Sequence, residues 1–230
     1  MKKSLKLFGG GPHKNPLVVF DLDGTLYNQR QLRIHMALQM IKELLCSSCG
    51  RRKIKIIDSF RKVREKLAEN EAEDVINLQY AIVASELSIS EDEVRAVTDE
   101  WLLRRPLPIL KKCREPYIDH MFLQLRKAGK IVAILSDYPA HAKLDALDLH
   151  ADIVVASTDL EVNRFKPNPK GLLMVLNLAN ILAEQCVVIG DRMDRDGECA
   201  RRVGAHFLLK RKSRFSMLSG VSSYKDLLVE

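Results

Sequence analysis

Asp21 and Asp23 stand two residues apart, directly after an apolar run, in the string Val18-Val19-Phe20-Asp21-Leu22-Asp23-Gly24-Thr25. The run from Leu17 to Phe20 is rich in β-branched residues and suits a strand buried on both faces. Side chains alternate across a strand, so acids two apart can face one crevice. One carboxylate can attack phosphorus to form an aspartyl phosphate. The other, if protonated, can give its proton to a departing alkoxide and later take one from water. Gly24 allows a sharp turn and leaves room for an anion. Asp191 follows a second apolar run, Val187 to Ile189, with Asp194 and Asp196 close behind. Carboxylate oxygens are hard ligands suited to Mg²⁺, and a dication offsets the repulsion between an anionic nucleophile and a phosphate dianion. Asp194 and Asp196 equally suit the N-terminus of a following helix.

Two further residues fit the same chemistry. Ser136 ends a strand ahead of a helix, where its hydroxyl and nearby N–H groups can hold phosphate oxygens. Lys166 precedes Pro167, which keeps its backbone extended, and Asn168 caps a helix opening with Pro169. The lysine is thereby placed to neutralise phosphate and nucleophile together.

These residues need a frame to bring them together. Apolar residues recur at helical spacing from about Gln29 to Arg105: Leu32, Met36, Met40 and Leu44, then Ile57, Phe60, Val63 and Leu67. Asn77 to Leu87 and Val94 to Leu103 continue the pattern. Ser90 and Glu93 form a capping box, and Pro106 and Pro108 close the block. Strands and helices then alternate. The strands are Ile131 to Leu135, Ile153 to Ala156, Val187 to Ile189 and His206 to Leu209. The helices are Tyr117 to Lys127, His141 to Leu149, Gly171 to Ala179 and Asp196 to Val203. Such alternation implies an α/β fold with a Rossmann-like parallel sheet core, interrupted after its first strand by an inserted α-helical domain. The expected divisions are a flexible basic N-terminal arm at 1–16, a core from 17–28 and 110–230, and a helical cap at 29–109. In an open parallel sheet the ligand crevice lies beyond the carboxyl ends of the strands. Asp21, Asp23, Ser136, Asp137, Ser157, Gly190 and Asp191 all follow or end strands, so one edge collects them.

The 230 residues are 47% hydrophobic, which excludes general disorder, and carry a net charge of +7. Part of the surplus lies at Lys2, Lys3, Lys6 and Lys14 and at Lys210, Arg211, Lys212 and Arg214, read as solvated tails and helix faces. No segment approaches the ~20 apolar residues of a membrane span, and the glycines at 9–11 interrupt the basic N-terminus too early for a signal peptide. Five cysteines, an odd number, favour reduced thiols and a cytoplasmic location. Cys46 and Cys49 form a C-x-x-C with no second pair at zinc spacing, so two thiols at a helix end are the expectation.

The four sites occur in the order and setting of the haloacid dehalogenase-like superfamily of hydrolases, which this chain resembles over residues 17–210. Asp21-Leu22-Asp23-Gly24-Thr25 is similar to its first motif and Ser136 in Ile134-Leu135-Ser136-Asp137 to its second. Lys166 in Phe165-Lys166-Pro167-Asn168-Pro169 is similar to the third, and Gly190-Asp191-Arg192-Met193-Asp194-Arg195-Asp196 to the fourth. The resemblance implies a nucleophile at Asp21 and an acid/base at Asp23. It implies a metal set of Asp21, Asp23 through its carbonyl, Asp191 and Asp196, the last supporting either the metal or Lys166. The phosphate would lie against Ser136, Asp137, Lys166, Gly24 and Thr25. Asp137 stands where asparagine or glycine is more usual, so its side chain must avoid the phosphate or mark an unusual subgroup. The long basic arm departs from the pattern. Dehalogenases of the superfamily lack the second acid, since a halide leaves without a proton, so Asp23 disfavours dehalogenation.

The expected activity is a Mg²⁺-dependent phosphohydrolase acting on a small phosphorylated metabolite, such as a sugar phosphate, through an aspartyl phosphate. A phosphomutase shares the same motifs and is the alternative. A basic nucleic-acid-binding protein is a third reading, but it would have no use for carboxylates at strand ends. No nucleic-acid partner is therefore expected, and the protein is expected to be a monomer or homodimer.

Overall fold

A computed structural model of the chain describes residues 15–46, 50–211 and 220–228. Five parallel strands form one sheet in the order β3-β2-β1-β4-β5. They are β1 (Leu17–Phe20), β2 (Ile131–Ser136), β3 (Ile153–Ala156), β4 (Cys186–Gly190) and β5 (His206–Leu209). Period-2 alternation divides β1 between two cores. Val18 and Phe20 join Val132, Ile134, Val187 and Ile189 on one face. Leu17 and Val19 join Ala133, Leu135, Cys186 and Val188 on the other. Both faces are covered, which is why β1 carries no polar residue.

The chain winds outward from β1 to β2 and β3, then crosses back to place β4 on the other side of β1. That reversal opens a crevice beyond the ends of β1 and β4. It is narrowed by a hydrogen bond from the Asp21 N–H to the Ile189 carbonyl (2.8 Å).

The segment between β1 and β2 holds α1 (Gln29–Cys46), α2 (Gly50–Glu69), α3 (Val75–Leu87), α4 (Glu91–Thr98), a π-helical turn at Asp99–Arg104 and α5 (Leu107–Cys113), followed by α6 (Ile118–Lys127). Ile57, Phe60, Val63 and Leu67 face inward on α2 as their spacing predicts, and meet Val75, Val83, Val94 and Trp101. Phe165, from the core, is part of the same cluster. The capping box at α4 is one-sided. The Ser90 hydroxyl accepts from the Glu93 N–H (3.2 Å), but the Glu93 carboxylate pairs with Arg52 on α2. Pro106 and Pro108 both end the helical block and start α5, since proline is tolerated in a first helical turn.

Remaining helices are α7 (His141–Leu147), α8 (Lys170–Ala179) and α9 (Glu198–Val203), the last preceded by a π-helical turn at Met193–Gly197. Of the expected arm, residues 1–14 lie outside the described residues. Asn15 is buried, and the Pro16 carbonyl accepts from the Ile131 N–H (2.8 Å), so both belong to the sheet's entry. Lys210 is buried and paired with Glu115 (2.9 Å), not solvated as its charge suggested. Lys212 and Arg214 lie outside the described residues, as does Cys49. Cys113, Cys186 and Cys199 are free and buried, and burial pushes the Cys186 and Cys199 thiols up to about 12. Among the described residues no helix is long and apolar enough to cross a membrane.

Polar contacts fasten the helical segment to the core around Phe165. Glu65 on α2 accepts from Arg192 (2.9 Å) and Arg195 (2.9 Å), both just past β4. Asn163 accepts from the Ile76 N–H (3.0 Å) and Glu71 pairs with Arg202 (2.7 Å). Burial raises the Glu65 carboxyl, but hydrogen bonds from Arg192 and Arg195 outweigh it and hold the group below its ordinary 4.5. A depressed carboxyl contributes stability above the ordinary value and loses it as pH falls through the depressed one. On acidification from about pH 6 to about pH 3 the wild type should therefore lose more thermal stability than Glu65→Ala. Parallel melting profiles for the two proteins would remove Glu65 from the clamp.

Candidate active site

Asp21 comes first past β1, Asp191 first past β4, and Ser136 ends β2. Lys166, from the loop before α8, reaches between them. Its ammonium donates to Asp21 Oδ1 (2.6 Å), Asp196 Oδ1 (2.6 Å) and the Leu135 carbonyl (3.3 Å). Lys166, Asp21 and Asp196 are all buried. Burial disfavours the ammonium, but the charges of Asp196 and Asp21 outweigh it and hold the lysine well above its ordinary value. Asp21 remains pushed up, first by burial, against the pull of Lys166 and with the negative charges of Asp196, Asp191 and Asp23 adding to the rise. Its other oxygen accepts from the Thr25 hydroxyl (3.0 Å), which fixes the carboxylate's rotation. Thr25 thus acts on the acid itself.

Gly24 has φ +96°, a left-handed turn that favours glycine. A Cβ there would stand 2.6 Å from Asp191 Oδ2, so the turn also lets Asp191 approach the first loop. Gly190 does the same for Asp196, whose carboxylate would lie 2.3 Å from an added Cβ. The π-helical turn after β4 folds Asp196 back under that glycine, while Asp194 points out to pair with Arg192 (2.6 Å). The two readings open for these acids thus separate: Asp196 joins the site and Asp194 does not.

Oxygens of Asp21, Asp191 and Asp196 lie within 4.8 Å of one another. Asp196 already accepts from Lys166 and, through Oδ2, from the Arg192 N–H (3.1 Å). These oxygens suit a hard divalent cation. The electrostatics agree: when ionised, Asp21 and Asp196 outnumber the one ammonium they share, and a dication offsets the difference.

Asp23 faces the same cavity as Asp21. Its Oδ1 accepts from Lys143 Nζ (2.6 Å) and from the Tyr27 hydroxyl. Burial raises the carboxyl, but Lys143, by charge and hydrogen bond, and Tyr27 outweigh it and hold Asp23 below its ordinary range. Neither partner was read from the sequence. Lys143 carried a signal, because a lysine in the first turn of α7 runs against the helix dipole. Tyr27 carried none.

Ser136 is buried, and its hydroxyl accepts from the Tyr138 N–H (3.1 Å). Asp137 lines the same cavity. Its Oδ1 accepts from the Ser157 hydroxyl (2.7 Å) and the Lys166 N–H (3.1 Å), which ties the acid to the neighbouring loops. Arg64 reaches from α2 to the Asp137 carbonyl and lies 3.6 Å over the Tyr138 ring and 4.2 Å over Phe165. A cavity of about 790 Å³ joins Asp21, Asp23, Asp137, Lys166, Asp191 and Asp196 to the inner wall of the helical segment.

With this geometry in place, comparison with known proteins is informative. The family model described as haloacid dehalogenase-like hydrolase matches residues 16–204, and the chain belongs to that family. None of the curated proteins matches it in sequence. Solved structures share the fold at low identity. A 2-haloacid dehalogenase from Pseudomonas syringae pv. Tomato DC3000 superposes with TM-score 0.61 at 18% identity, covering 90% of each chain. YfnB from Bacillus subtilis, in a structure bound to magnesium, gives 0.63 at 13%, covering 92% of this chain and 97% of that one. A HAD phosphatase from Thermococcus onnurineus gives 0.59 at 19%, covering 90% and 91%. The chain is therefore an enzyme of the hydrolase class.

Lys143→Met removes the charge that holds the Asp23 carboxyl down. In the metal-free protein the Asp23 titration, followed by carboxyl NMR, should move upward; an unmoved titration would deny Lys143 this control. Gly24→Ala should displace Asp191 and weaken divalent-cation binding by calorimetry, with the metal-free protein still folded.

Proposed function

We propose that the protein is a magnesium-dependent phosphomonoesterase acting through an aspartyl phosphate. The observation that carries this reading is Asp23. It faces the same cavity as Asp21, with two donors already on its Oδ1. A halide departs without a proton, whereas an alkoxide needs one, and a second acid beside the nucleophile serves the alkoxide. The neighbours include dehalogenases as well as a phosphatase, and Asp23 is what favours the phosphatase.

Asp21, held by Thr25 and Lys166, attacks phosphorus through one carboxylate oxygen, and the ester oxygen leaves on the opposite side. Asp23, held at Oδ1 by Lys143 and Tyr27, keeps Oδ2 for the proton the leaving oxygen takes; because the carboxyl is held below its ordinary range, that proton must first be taken up from solvent. Asp23 then accepts a proton from the water that hydrolyses the aspartyl phosphate. The loop at Asp137 flanks the transferred group, with Ser136, Gly24 and Thr25 behind it, and Lys166 offsets its charge. Asp21, Asp191 and Asp196, with the Asp23 carbonyl, would hold Mg²⁺, which supplies positive charge that lessens repulsion between nucleophile and phosphate.

Asp21→Asn should lower phosphate release from an aryl phosphate by roughly a thousandfold or more while the circular dichroism spectrum stays native. Near-normal turnover in that variant sinks the mechanism. EDTA should stop turnover and MgCl₂ should restore it. Added Mg²⁺ should also raise the melting temperature, through a stabilisation of about 2.7 kcal/mol at a hundredfold excess over its Kd. Full activity in EDTA contradicts the metal assignment.

A further inference from the structure

The cavity is chemically two-sided. Its core side holds the acids and lysines of the site. Its cap side is lined by Leu32, Met36, Met40, Ile57, Trp101 and Leu102. A volume of about 790 Å³ is far more than a phosphoryl group fills, and lies within the roughly 300–1,000 Å³ that encloses drug-sized ligands. A polyhydroxylated skeleton lying against such a wall would leave its hydroxyls without partners, whereas an apolar one would exchange water for close contact.

The polar groups of the cap side are also one-sided. Trp101 is buried, and its indole N–H has no hydrogen-bond partner among the described residues. Arg33 and Arg61 line the cavity, are exposed, and show no hydrogen-bond or ion-pair partner among the described residues. The acids on this side are engaged: Asp58 pairs with Lys62 (2.7 Å) and Glu65 with Arg192 and Arg195. Apart from Gln29 and the outer oxygen of the exposed Asp58, this wall offers mainly donors and positive charge. An unpaired buried donor is a rarity that a bound acceptor would remove.

We propose that the site takes phosphomonoesters of a large apolar or aromatic skeleton carrying a second anionic group, such as a carboxylate. The proposal rests on the phosphomonoesterase reading. The core side takes the phosphate, the apolar wall takes the skeleton, and Trp101, Arg33 and Arg61 take the second anion. A sugar phosphate is accordingly a poor substrate.

The test uses the full chain with Mg²⁺. Phosphate release is measured for n-alkyl phosphates from ethyl to decyl, for the same series with a terminal carboxylate, and for hexose 6-phosphates. Affinities of the matching non-hydrolysable alkylphosphonates are measured by calorimetry. Affinity should rise about three- to fourfold per methylene until the wall is covered, and the longer carboxylated members should outperform their plain counterparts. In Arg33→Ala/Arg61→Ala and in Trp101→Phe, the ratio of carboxylated to plain substrate should fall towards one. Phosphonate affinities that do not grow with chain length, or hexose phosphates preferred over decyl phosphate, overturn the apolar skeleton. An unchanged ratio in both variants overturns the second anion. If affinity grows with chain length but no ester releases phosphate, the ligand class stands and the phosphomonoesterase reading falls.

Discussion

The ammonium of Lys166 is the contact on which the rest of the site depends. Asp21 is carried into the interior by the end of β1, and Asp196 by the π-helical turn after β4. Desolvating a carboxylate costs several kcal/mol per ion even after relaxation. One lysine placed 2.6 Å from both acids lets them share a buried space. The same lysine is itself held on two sides, since its N–H donates to Asp137 and its carbonyl accepts from Arg195 (3.2 Å). Its own charge survives burial only because both acids flank it. Each of the three is therefore in place because of the other two, and Asp21 still keeps a raised carboxyl that further positive charge would lower.

The third and fourth loops are also where the helical segment is fastened. Phe165 adjoins Lys166 and packs in the helical segment's core, and Arg195 adjoins Asp196 and binds Glu65. Arg64 reaches the Asp137 carbonyl in the second loop. A displacement of α2 would thus act on the residues next to the reacting groups before it reached any other part of the core. This arrangement couples the inner wall of the helical segment to the loops that carry Asp137, Lys166 and Asp196.

Much of this was legible in the sequence because it depends on local periodicity. The four apolar residues of β1 show that both faces are covered, and Asp21, Asp191 and Ser136 follow from the rule that ligands sit beyond strand ends. The helical segment was readable from the spacing of Ile57, Phe60, Val63 and Leu67 on α2. What escaped was long-range. Lys143 is 120 residues from its partner Asp23, and no local pattern announces the pair beyond a lysine at the wrong end of a helix. Arg64 looks like any cap arginine until Tyr138 and Phe165 fold against it. Lys210 looked like part of a solvated tail because charge, unlike hydrophobicity, does not reveal whether a partner waits for it; Glu115 does. Asp194 and Asp196 could not be separated either, because a π-helical turn changes which of two neighbouring acids points inward, and no residue type marks such a turn.

That turn has a consequence for how the charges are distributed. An ordinary α-helical start after β4 would offer its first-turn acids to solvent and to the helix dipole. The wider π turn brings the Asp196 N–H (2.8 Å) and the Gly197 N–H (3.2 Å) onto the Arg192 carbonyl, and the Asp196 carboxylate folds back beneath Gly190. Lys166 is then shared between Asp196 and Asp21 rather than belonging to Asp21 alone. With a single acid partner the lysine would cancel the nucleophile and leave little need for other positive charge. With two, Asp21 and Asp196 together carry more negative charge than Lys166 supplies. Asp23 is paired with its own lysine, Lys143, although its charge still adds to the rise at Asp21. Asp21 and Asp23, two residues apart, thus come to differ in charge environment, the first raised by burial and the second lowered by Lys143 and Tyr27, so that added positive charge is what Asp21 lacks.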